Sequence, residues 1–298
     1  MTNLPDYPAA SVAIERPCLY LVATPIGNLG DITLRALRIL EQVDLVLAED
    51  TRTSLKLLDR FGLHRPLESL HQQNEVQRTA SLTQRLRDGP SAMALISDAG
   101  TPLVSDPGFL LVQACHLAGI PVRYIPGASA VLGALTVSGL PCDRFAFEGF
   151  LPNRQAARRT RLEALEHAPH TLVFFEAPHR IRETVSDMCL VFGEARAACV
   201  VRELTKLHET LYRGSLREIA TALDGDINAT RGEIAIVVGP DTDSSPDAVL
   251  ATRLLKTLLP RLSQRDAVEA VSEATGYPRN LIYALALEMK ATSVPTIA

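Results

Sequence analysis

MALISDAGTPLVSDPG, residues 93–108, is the stretch that decides how this chain folds. Residues 93–96 are apolar and predict a buried strand. Residues 97–108 combine glycine, proline and hydroxyl side chains, which predict a loop, and a helix is predicted over about residues 107–117. A strand, a loop and a helix in this order are typical of an α/β layer with a largely parallel sheet.

The same alternation continues on both sides of this stretch. Further strands are predicted at residues 18–26, 43–48 and 122–125, with helices over about residues 33–42, up to Phe61 and up to Ser138. From residue 145 onward the helices are fewer and the strands lie closer together, at residues 145–150, 171–175, 198–202, 209–213 and 233–238. We therefore expect a mixed sheet in the second half of the chain.

These changes of pattern divide the chain into four parts. Residues 1–17, with three prolines, are expected to be a flexible arm, and residues 18–140 an N-terminal α/β domain. Residues 141–240 are expected to form a second, mixed α/β domain, and residues 246–298 a small helical tail beyond a polar boundary. In the tail, Ser263 is expected to cap one helix, and Gly276 is expected to end that helix. Pro278 then starts the next helix, so the tail resembles a helix-turn-helix. A small bundle packed on the main body is the alternative.

Composition and charge narrow the class of protein. The chain has 30 basic and 34 acidic residues and a net charge of -4, so a nucleic-acid partner would have to meet a local basic patch. Its five cysteines are scattered without metal-ligand spacing, which favours reduced thiols, a cytoplasmic location and the absence of a metal site. We also expect neither a signal peptide nor a membrane span.

Chemically active residues recur where the predicted strands end. In open α/β sheets, ligands bind outside the carboxyl ends of the strands. The loop at residues 97–108 lacks the signatures of a P-loop or a dinucleotide-binding loop. Its glycines would let the backbone approach a ligand closely, and Asp98 could accept hydrogen bonds from an amine or a sugar hydroxyl. Taken alone, this loop could equally be an ordinary turn.

Seven motifs in order give the chain a resemblance to a known family. It resembles the tetrapyrrole-methylase superfamily and, within it, the family of 16S rRNA (cytidine-2'-O-)methyltransferases. The resemblance covers about residues 19–239 and is carried by residues 22–33, 49–52, 97–108, 125–130, 147–152, 175–180 and 202–206. Two departures are modest: Phe174 and Phe175 stand where a pair with tyrosine is common, and Arg154 stands where lysine is frequent.

The resemblance implies a two-domain α/β fold of the tetrapyrrole-methylase type with a small C-terminal helical domain. It also implies a homodimer that binds S-adenosyl-L-methionine in the cleft between its domains. The implied reaction is 2'-O-methylation of a cytidine in the decoding centre of 16S rRNA, in its P-site region, on the assembled 30S subunit. The alternatives are a methylase of a precorrin-type tetrapyrrole, a methylase of a protein histidine derivative, and a helix-turn-helix regulator of DNA. The tail's nearly balanced charge argues against the regulator.

The same resemblance assigns residues to the cofactor cleft, where mostly backbone contacts are expected. For the apolar members, simple core packing is the competing interpretation, and Ser129 could instead cap the next helix. The cofactor-binding candidates are Pro25, Asp98, Gly100, Val104, Ser105, Ser129, Ala130, Glu233 and Ile234.

Catalytic candidates follow from the chemistry of a ribose hydroxyl, which is a poor nucleophile near neutral pH. Lys206 could stabilise the alkoxide or a phosphate, and Glu209 could orient Lys206. A surface salt bridge is the competing interpretation for this pair. His179 could contact RNA phosphate or act in acid–base work, although an orienting hydrogen bond is the simpler role for a lone histidine.

RNA-binding candidates come from guanidinium groups, since phosphate contacts dominate affinity for RNA. A basic helix over residues 154–167 carries four arginines, for which a solvated face is the competing interpretation. The candidates are Arg52, Arg154, Arg158, Arg159, Arg161 and Arg180.

Overall fold

The computed structural model describes residues 14–241 and 246–292. Its first sheet is fully parallel, with strand order β3-β2-β4-β1-β5. The central β4 is completely buried, as its apolar sequence requires in a sheet covered on both faces. The five strands are β1 (Cys18–Val22), β2 (Leu45–Ala48), β3 (Leu67–Ser69), β4 (Ala92–Ile96) and β5 (Val122–Ile125).

Helices cover both faces of this sheet. Helices α1 (Leu34–Gln42) and α2 (Thr51–Arg60) pack on one face, and α3 (Glu75–Arg87) and α4 (Phe109–Leu117) pack on the other. Thr33 begins α1 by accepting a hydrogen bond from the Ala36 amide, the usual task of an N-cap hydroxyl. The predicted alternation of strands and helices is confirmed here, with β3 and α3 as additions.

The second sheet is mixed, as predicted. Its strand order is β6-β7-β10-β8-β9, in which β6 and β7 run parallel and the other neighbours run antiparallel. Its outer face packs against α6 (Gln155–Glu163), α7 (Ile181–Phe192) and α8 (Leu216–Gly225). The strands are β6 (Phe145–Phe150), β7 (Thr171–Glu176), β8 (Ala197–Arg202), β9 (Thr210–Ser215) and β10 (Ile234–Val238).

Helix α5 (Ala130–Ser138) joins the two sheets. It follows β5 of the first sheet, but Val131, Ala134 and Leu135 pack on the inner face of the second sheet. Ser129 caps it by accepting a hydrogen bond from the Leu132 amide at 3.4 Å. The strand ends of both sheets are thereby held close to each other. The domain boundary at residue 140 stays a prediction.

The C-terminal helices have a small core of their own. They are α9 (Pro246–Leu258), α10 (Gln264–Thr275) and α11 (Arg279–Thr292), and buried aliphatic side chains from all three form one cluster. Ser263 caps α10, and Gly276 ends it with a left-handed φ of 69°. Both ends of α10 agree with the capping pattern of the sequence.

Residues 1–13 of the expected N-terminal arm lie outside the described residues. The last part of that arm is anchored. Glu15 forms an ion pair with Arg123 at 2.8 Å, and Arg16 pairs with Asp44. Among residues 14–241 and 246–292, the structure contains no helix that is both long and apolar enough to cross a bilayer.

Candidate active site

A cavity of about 450 Å³ opens where loops of the two sheets meet. One wall comes from the loop after β4 and the start of α5, and the other from the end of β7 and the start of β10. The walls include eight of the nine residues predicted to bind the cofactor: Asp98, Gly100, Val104, Ser105, Ser129, Ala130, Glu233 and Ile234. Pro25 is not among the residues that line it.

The loop after β4 is tied to the end of β1. The Thr24 and Gly100 backbones exchange hydrogen bonds of 2.9 and 3.1 Å, and the Thr24 hydroxyl donates to the Ser97 carbonyl. Gly100 has a φ of 81°, a conformation that a residue without Cβ adopts at little cost. These bonds fix the backbone at the start of the loop, where Gly100 is predicted to contact the ligand.

Backbone strain is concentrated in the two loops beside the cavity. In the described part of the chain, the non-glycine residues with left-handed φ are Leu103 at 73°, Ser105 at 69°, Glu203 at 54° and Thr205 at 67°. Such a conformation costs roughly 1–2 kcal/mol for an L-residue. Strain of this kind clusters at functional sites and persists only where surrounding contacts enforce it.

Glu75, which was not among the sequence candidates, supplies one of those contacts. Its carboxylate is buried and accepts hydrogen bonds from the backbone amides of Gly108, at 3.1 Å, and Leu110, at 2.8 Å. These are free amides at the start of α4, where a negative charge is favourable. Glu75 lies on α3, a helix the sequence did not reveal, so the contact could not be anticipated.

Lys206 lies at the rim of the cavity between two carboxylates. Its Nζ donates to Glu203 at 2.7 Å and to Glu233, a wall residue, at 3.0 Å. Burial disfavours the charged amine, but the hydrogen bonds to Glu203 and Glu233 outweigh it and raise the pKa of Lys206. Lys206 is therefore a fixed cation at neutral pH.

The expectation that Glu209 orients Lys206 is corrected by this arrangement. Glu209 is exposed, and its carboxylate accepts the Thr205 backbone amide at 2.7 Å. It therefore closes the turn that carries Lys206, while Glu203 and Glu233 hold the ammonium group. Glu203, which lies three residues before Lys206 and has a left-handed backbone, was not among the sequence candidates.

Two glycines make room for this ion-paired group. A Cβ on Gly27, after β1, would overlap the aliphatic stem of Lys206, and a Cβ on Gly232 would overlap the carboxylate of Glu203. Both glycines also have positive φ, at 134° and 82°. Lys206 of the second sheet thus lies against the backbone of the first, which brings loops of both sheets together at the cavity.

Two carboxylates, Asp98 and Asp106, lie in the wall on the side of the first sheet. Burial, and then the charge of Glu49, raise the pKa of Asp106 to about 6, although Ser97 lowers it by hydrogen bonding. Burial also raises the pKa of Asp98, whose carboxylate accepts the Asp50 amide at 3.2 Å. Within the described ranges, no group of three or more His, Cys, Asp or Glu side chains is placed to hold a metal ion.

The arginines predicted to bind RNA differ in their exposure. Arg158 is corrected: it is 1% exposed, and its Nε donates to the equally buried Asp187 at 2.7 Å. A buried charge needs such a partner, so this guanidinium is part of the core rather than of a solvated face. Arg159 also pairs with Asp187, Arg161 pairs with Glu148, and both keep about half of their side chains exposed.

Arg180 has a structural role as well. Only 12% of its side chain is exposed. Its guanidinium donates to the Leu151 and Pro152 carbonyls and to the Asn153 side chain, so it holds the turn after β6. Its neighbour His179 is exposed and lies just outside the residues that line the cavity.

Arg52 and Arg154 remain on the surface. Arg52 is 87% exposed and pairs with Asp50 at 2.7 Å. Arg154 is exposed immediately before α6. Both side chains lie beside strand ends of the two sheets. Because Arg158 and Arg180 are largely buried, fewer of the predicted cations are accessible than the sequence suggested.

Comparisons with known proteins show which protein families this chain is similar to. A family model described as Tetrapyrrole (Corrin/Porphyrin) Methylases matches residues 18–220, and one described as RsmI C-terminal HTH domain matches residues 244–290. The chain is similar to Ribosomal RNA small subunit methyltransferase I of Xylella fastidiosa, with 48% identity over 266 residues covering 89% of this chain and 97% of that protein.

The protein of the same name from Pseudomonas aeruginosa is 46% identical over 279 residues, covering 92% of this chain and 98% of that protein. Among solved structures, diphthine synthase is similar with a TM-score of 0.57 at 17% identity, covering 76% of this chain and 90% of that chain. At this low identity the structural likeness indicates a shared fold.

Proposed function

Since the chain belongs to the tetrapyrrole methylase family and, within it, to the family of ribosomal RNA small subunit methyltransferase I, we propose that it methylates the ribose of a cytidine in 16S rRNA. The methyl donor of this family is S-adenosylmethionine. The proposed acceptor is a 2'-oxygen in the decoding centre, near the P site, on the assembled 30S subunit. The fold predicted from the sequence is confirmed by this membership.

The observation that carries this proposal is the cavity between the two sheets. Its volume of about 450 Å³ is in the range of pockets that enclose small ligands and cofactors. The aliphatic side chains of Val104, Val131 and Ile234 alternate along its walls with the bare backbone of Gly100. This lining fits the methyl donor, which supplies an electrophilic methyl group on a positively charged sulfur when bound.

Lys206 gives the cavity a chemical function on the acceptor side. Negative charge develops on the 2'-oxygen as its proton leaves, and a fixed cation stabilises that charge without reorganising. Glu203 and Glu233 keep the ammonium group in one place at the rim. We assign Lys206 the stabilisation of the developing alkoxide, and Glu209 the shaping of the turn that carries it.

RNA contacts are proposed for the accessible cations. Arg52, Arg154, Arg159 and Arg161 reach solvent on elements that flank the two sheets. Phosphate contacts of this kind position an RNA substrate and do not read its sequence. His179 at the rim is proposed to contact RNA as well. The low aromatic content of the chain, 5%, argues against stacking of single-stranded bases and favours an assembled RNA surface.

The remaining expectations concern assembly and location. We propose that the enzyme acts as a homodimer in the cytoplasm, as the family resemblance implies. Light scattering coupled to size-exclusion chromatography measures the first point directly. A mass of one chain, 32.3 kDa, would contradict the dimer.

Transfer of labelled methyl groups tests the proposed function. The protein is incubated with S-adenosylmethionine labelled in its methyl group and one of three acceptors: 30S subunits lacking the modification, free 16S rRNA, or a precorrin-type tetrapyrrole. Label on 30S ribose oxygens, with less on free rRNA and none on the tetrapyrrole, is the expected result. Transfer to the tetrapyrrole alone would establish the alternative function instead.

A further inference from the structure

Four carboxylates line the cavity, and three of them have evident protein partners. Glu176 is buried and accepts the Thr184 hydroxyl at 2.6 Å. Glu233 is paired with Lys206, and Asp98 accepts a backbone amide. The four are Asp98, Asp106, Glu176 and Glu233.

Asp106, the fourth carboxylate, has a different environment. It is half-buried in the wall, beside the negative charges of Glu49 and Asp98, and the lowering of its pKa by the nearby Ser97 does not outweigh the effect of burial. In residues 14–241 and 246–292, no lysine or arginine forms an ion pair with it. On the opposite wall, Glu176 is paired with Arg180 at 3.4 Å and Glu233 with Lys206 at 3.0 Å, so these cations are held by other carboxylates. Among the described residues no cation pairs with Asp106, and burial raises its affinity for a proton.

The loop holds the backbone of Asp106 in place at the cavity. Ser105, directly before Asp106, has the left-handed φ of 69°, and the loop ends where Glu75 binds the Gly108 and Leu110 amides. A reacting group on a backbone that is fixed before the substrate binds reduces the ordering cost of the reaction.

We propose that Asp106 is the general base of the reaction and removes the proton from the ribose 2'-hydroxyl during methyl transfer. This inference rests on the proposed function. The O–H bond breaks and its proton moves to the Asp106 carboxylate, while the oxygen forms a bond to the methyl carbon. The bond from that carbon to sulfur breaks, and its electron pair stays on sulfur. Asp106 then releases the proton to solvent.

Other titratable groups near the cavity suit this role less well. Lys206 is already protonated, since its pKa is raised by Glu203 and Glu233. Glu176 is buried and bonded to Thr184, and Glu233 holds Lys206. Asp106 also has a pKa of about 6, close to neutral pH, where a general base is most effective.

Two isosteric changes in one loop test the proposal. A general base contributes roughly 100-fold to 10,000-fold, so Asp106→Asn should lower kcat at least 100-fold while leaving affinity for S-adenosylmethionine within about threefold. Asp98→Asn, the matched control, should mainly raise the KM for S-adenosylmethionine, because Asp98 is predicted to bind that cofactor. Affinity is measured by calorimetry on the full chain, and kcat by label transfer to 30S ribose.

The pH profile separates catalysis from structural support. The reaction needs the deprotonated carboxylate, so log kcat of the wild type should rise with pH below about 6 and level off above it. Glu49→Gln removes a negative charge that raises the pKa of Asp106, and Glu49 does not line the cavity. The inflection should therefore move to lower pH in this variant.

The outcomes are distinct. Near-normal kcat in Asp106→Asn, loss of cofactor binding in that variant, or an unmoved inflection in Glu49→Gln overturns the role of Asp106 even if the wild type methylates ribose. A wild type that methylates no ribose contradicts the proposed function itself and, with it, this inference. A large kcat loss with intact cofactor binding, together with the shifted inflection, supports it.

Discussion

Lys206 is the residue on which the proposed stabilisation of the alkoxide depends. Its charge is secured by Glu203 and Glu233, and its stem lies against Gly27 of the other sheet. The sequence pointed to Lys206 through its position after a strand. It could not identify Glu203 and Glu233 as the partners, because the register that aligns Arg202 with Ile234 is a property of the folded sheet.

Replacing Lys206 should affect turnover more than cofactor binding. Lys206→Ala should lower kcat by roughly 100-fold, the loss typical when one stabilising group is removed from a developing oxyanion. Affinity for S-adenosylmethionine, measured by calorimetry, should change little. Lys256→Ala, on the exposed surface of α9, is the control. Unchanged turnover in Lys206→Ala would remove this residue from the mechanism.

Glu75 should matter for both stability and binding. Glu75→Gln keeps the shape but loses the charge that faces the start of α4, and hydrogen bonds to charged groups contribute about 1.5–3 kcal/mol. We expect unfolding in urea at lower concentration and a higher KM for S-adenosylmethionine, because the strained loop loses its anchor. A variant with wild-type stability and KM would show that Glu75 is dispensable for the loop.

Among the elements, the loop after β1 lies close to the loop that carries Lys206, and this close approach positions the lysine at the site. Gly27→Ala should push Lys206 away and lower kcat, because the added Cβ would overlap the lysine stem and because φ is 134° there. Gly89→Ala is a matched control, since nothing lies within 4 Å of its added Cβ. Equal activity of the two variants, measured by label transfer, would contradict the tight contact between the loops.

Helix α6 carries arginines with two different tasks. Arg158→Met should destabilise the fold by about 3 kcal/mol, because it leaves a buried Asp187 with one guanidinium fewer. Arg159→Met, on the same helix and at the same partner, should cost about 1 kcal/mol or less because it is half-exposed. Urea unfolding measures both. Similar losses for the two would mean that burial does not distinguish them.

Across the whole molecule, the apolar strands that are followed by glycine and proline could be predicted. The residues that indicate such a strand and its end are neighbours in the sequence. The alternating elements of the first sheet and the mixed second sheet followed from such signals. Strand β3 and helix α3 did not, because β3 has three half-buried residues and α3 buries only Glu75, Leu82 and Leu86. So few apolar positions leave no clear helical period in the sequence.

The candidate site was predictable in outline through the family resemblance. The resemblance assigned the eight wall residues to the cofactor cleft, and most of their motifs follow predicted strands. The burial of individual side chains could not be predicted from such motifs. Arg158 and Arg180 looked like surface cations because a basic helix and a turn usually face solvent, but acceptors distant in sequence draw both into the fold.

Nucleoside analysis of the methylated product tests the central claim most directly. The 30S subunits lacking the modification are incubated with the wild-type protein and S-adenosylmethionine, and their 16S rRNA is digested to nucleosides for mass spectrometry. We expect 2'-O-methylcytidine as the new nucleoside, at a single position in the decoding centre. A methyl group on a base, or no new methylated nucleoside, would contradict it.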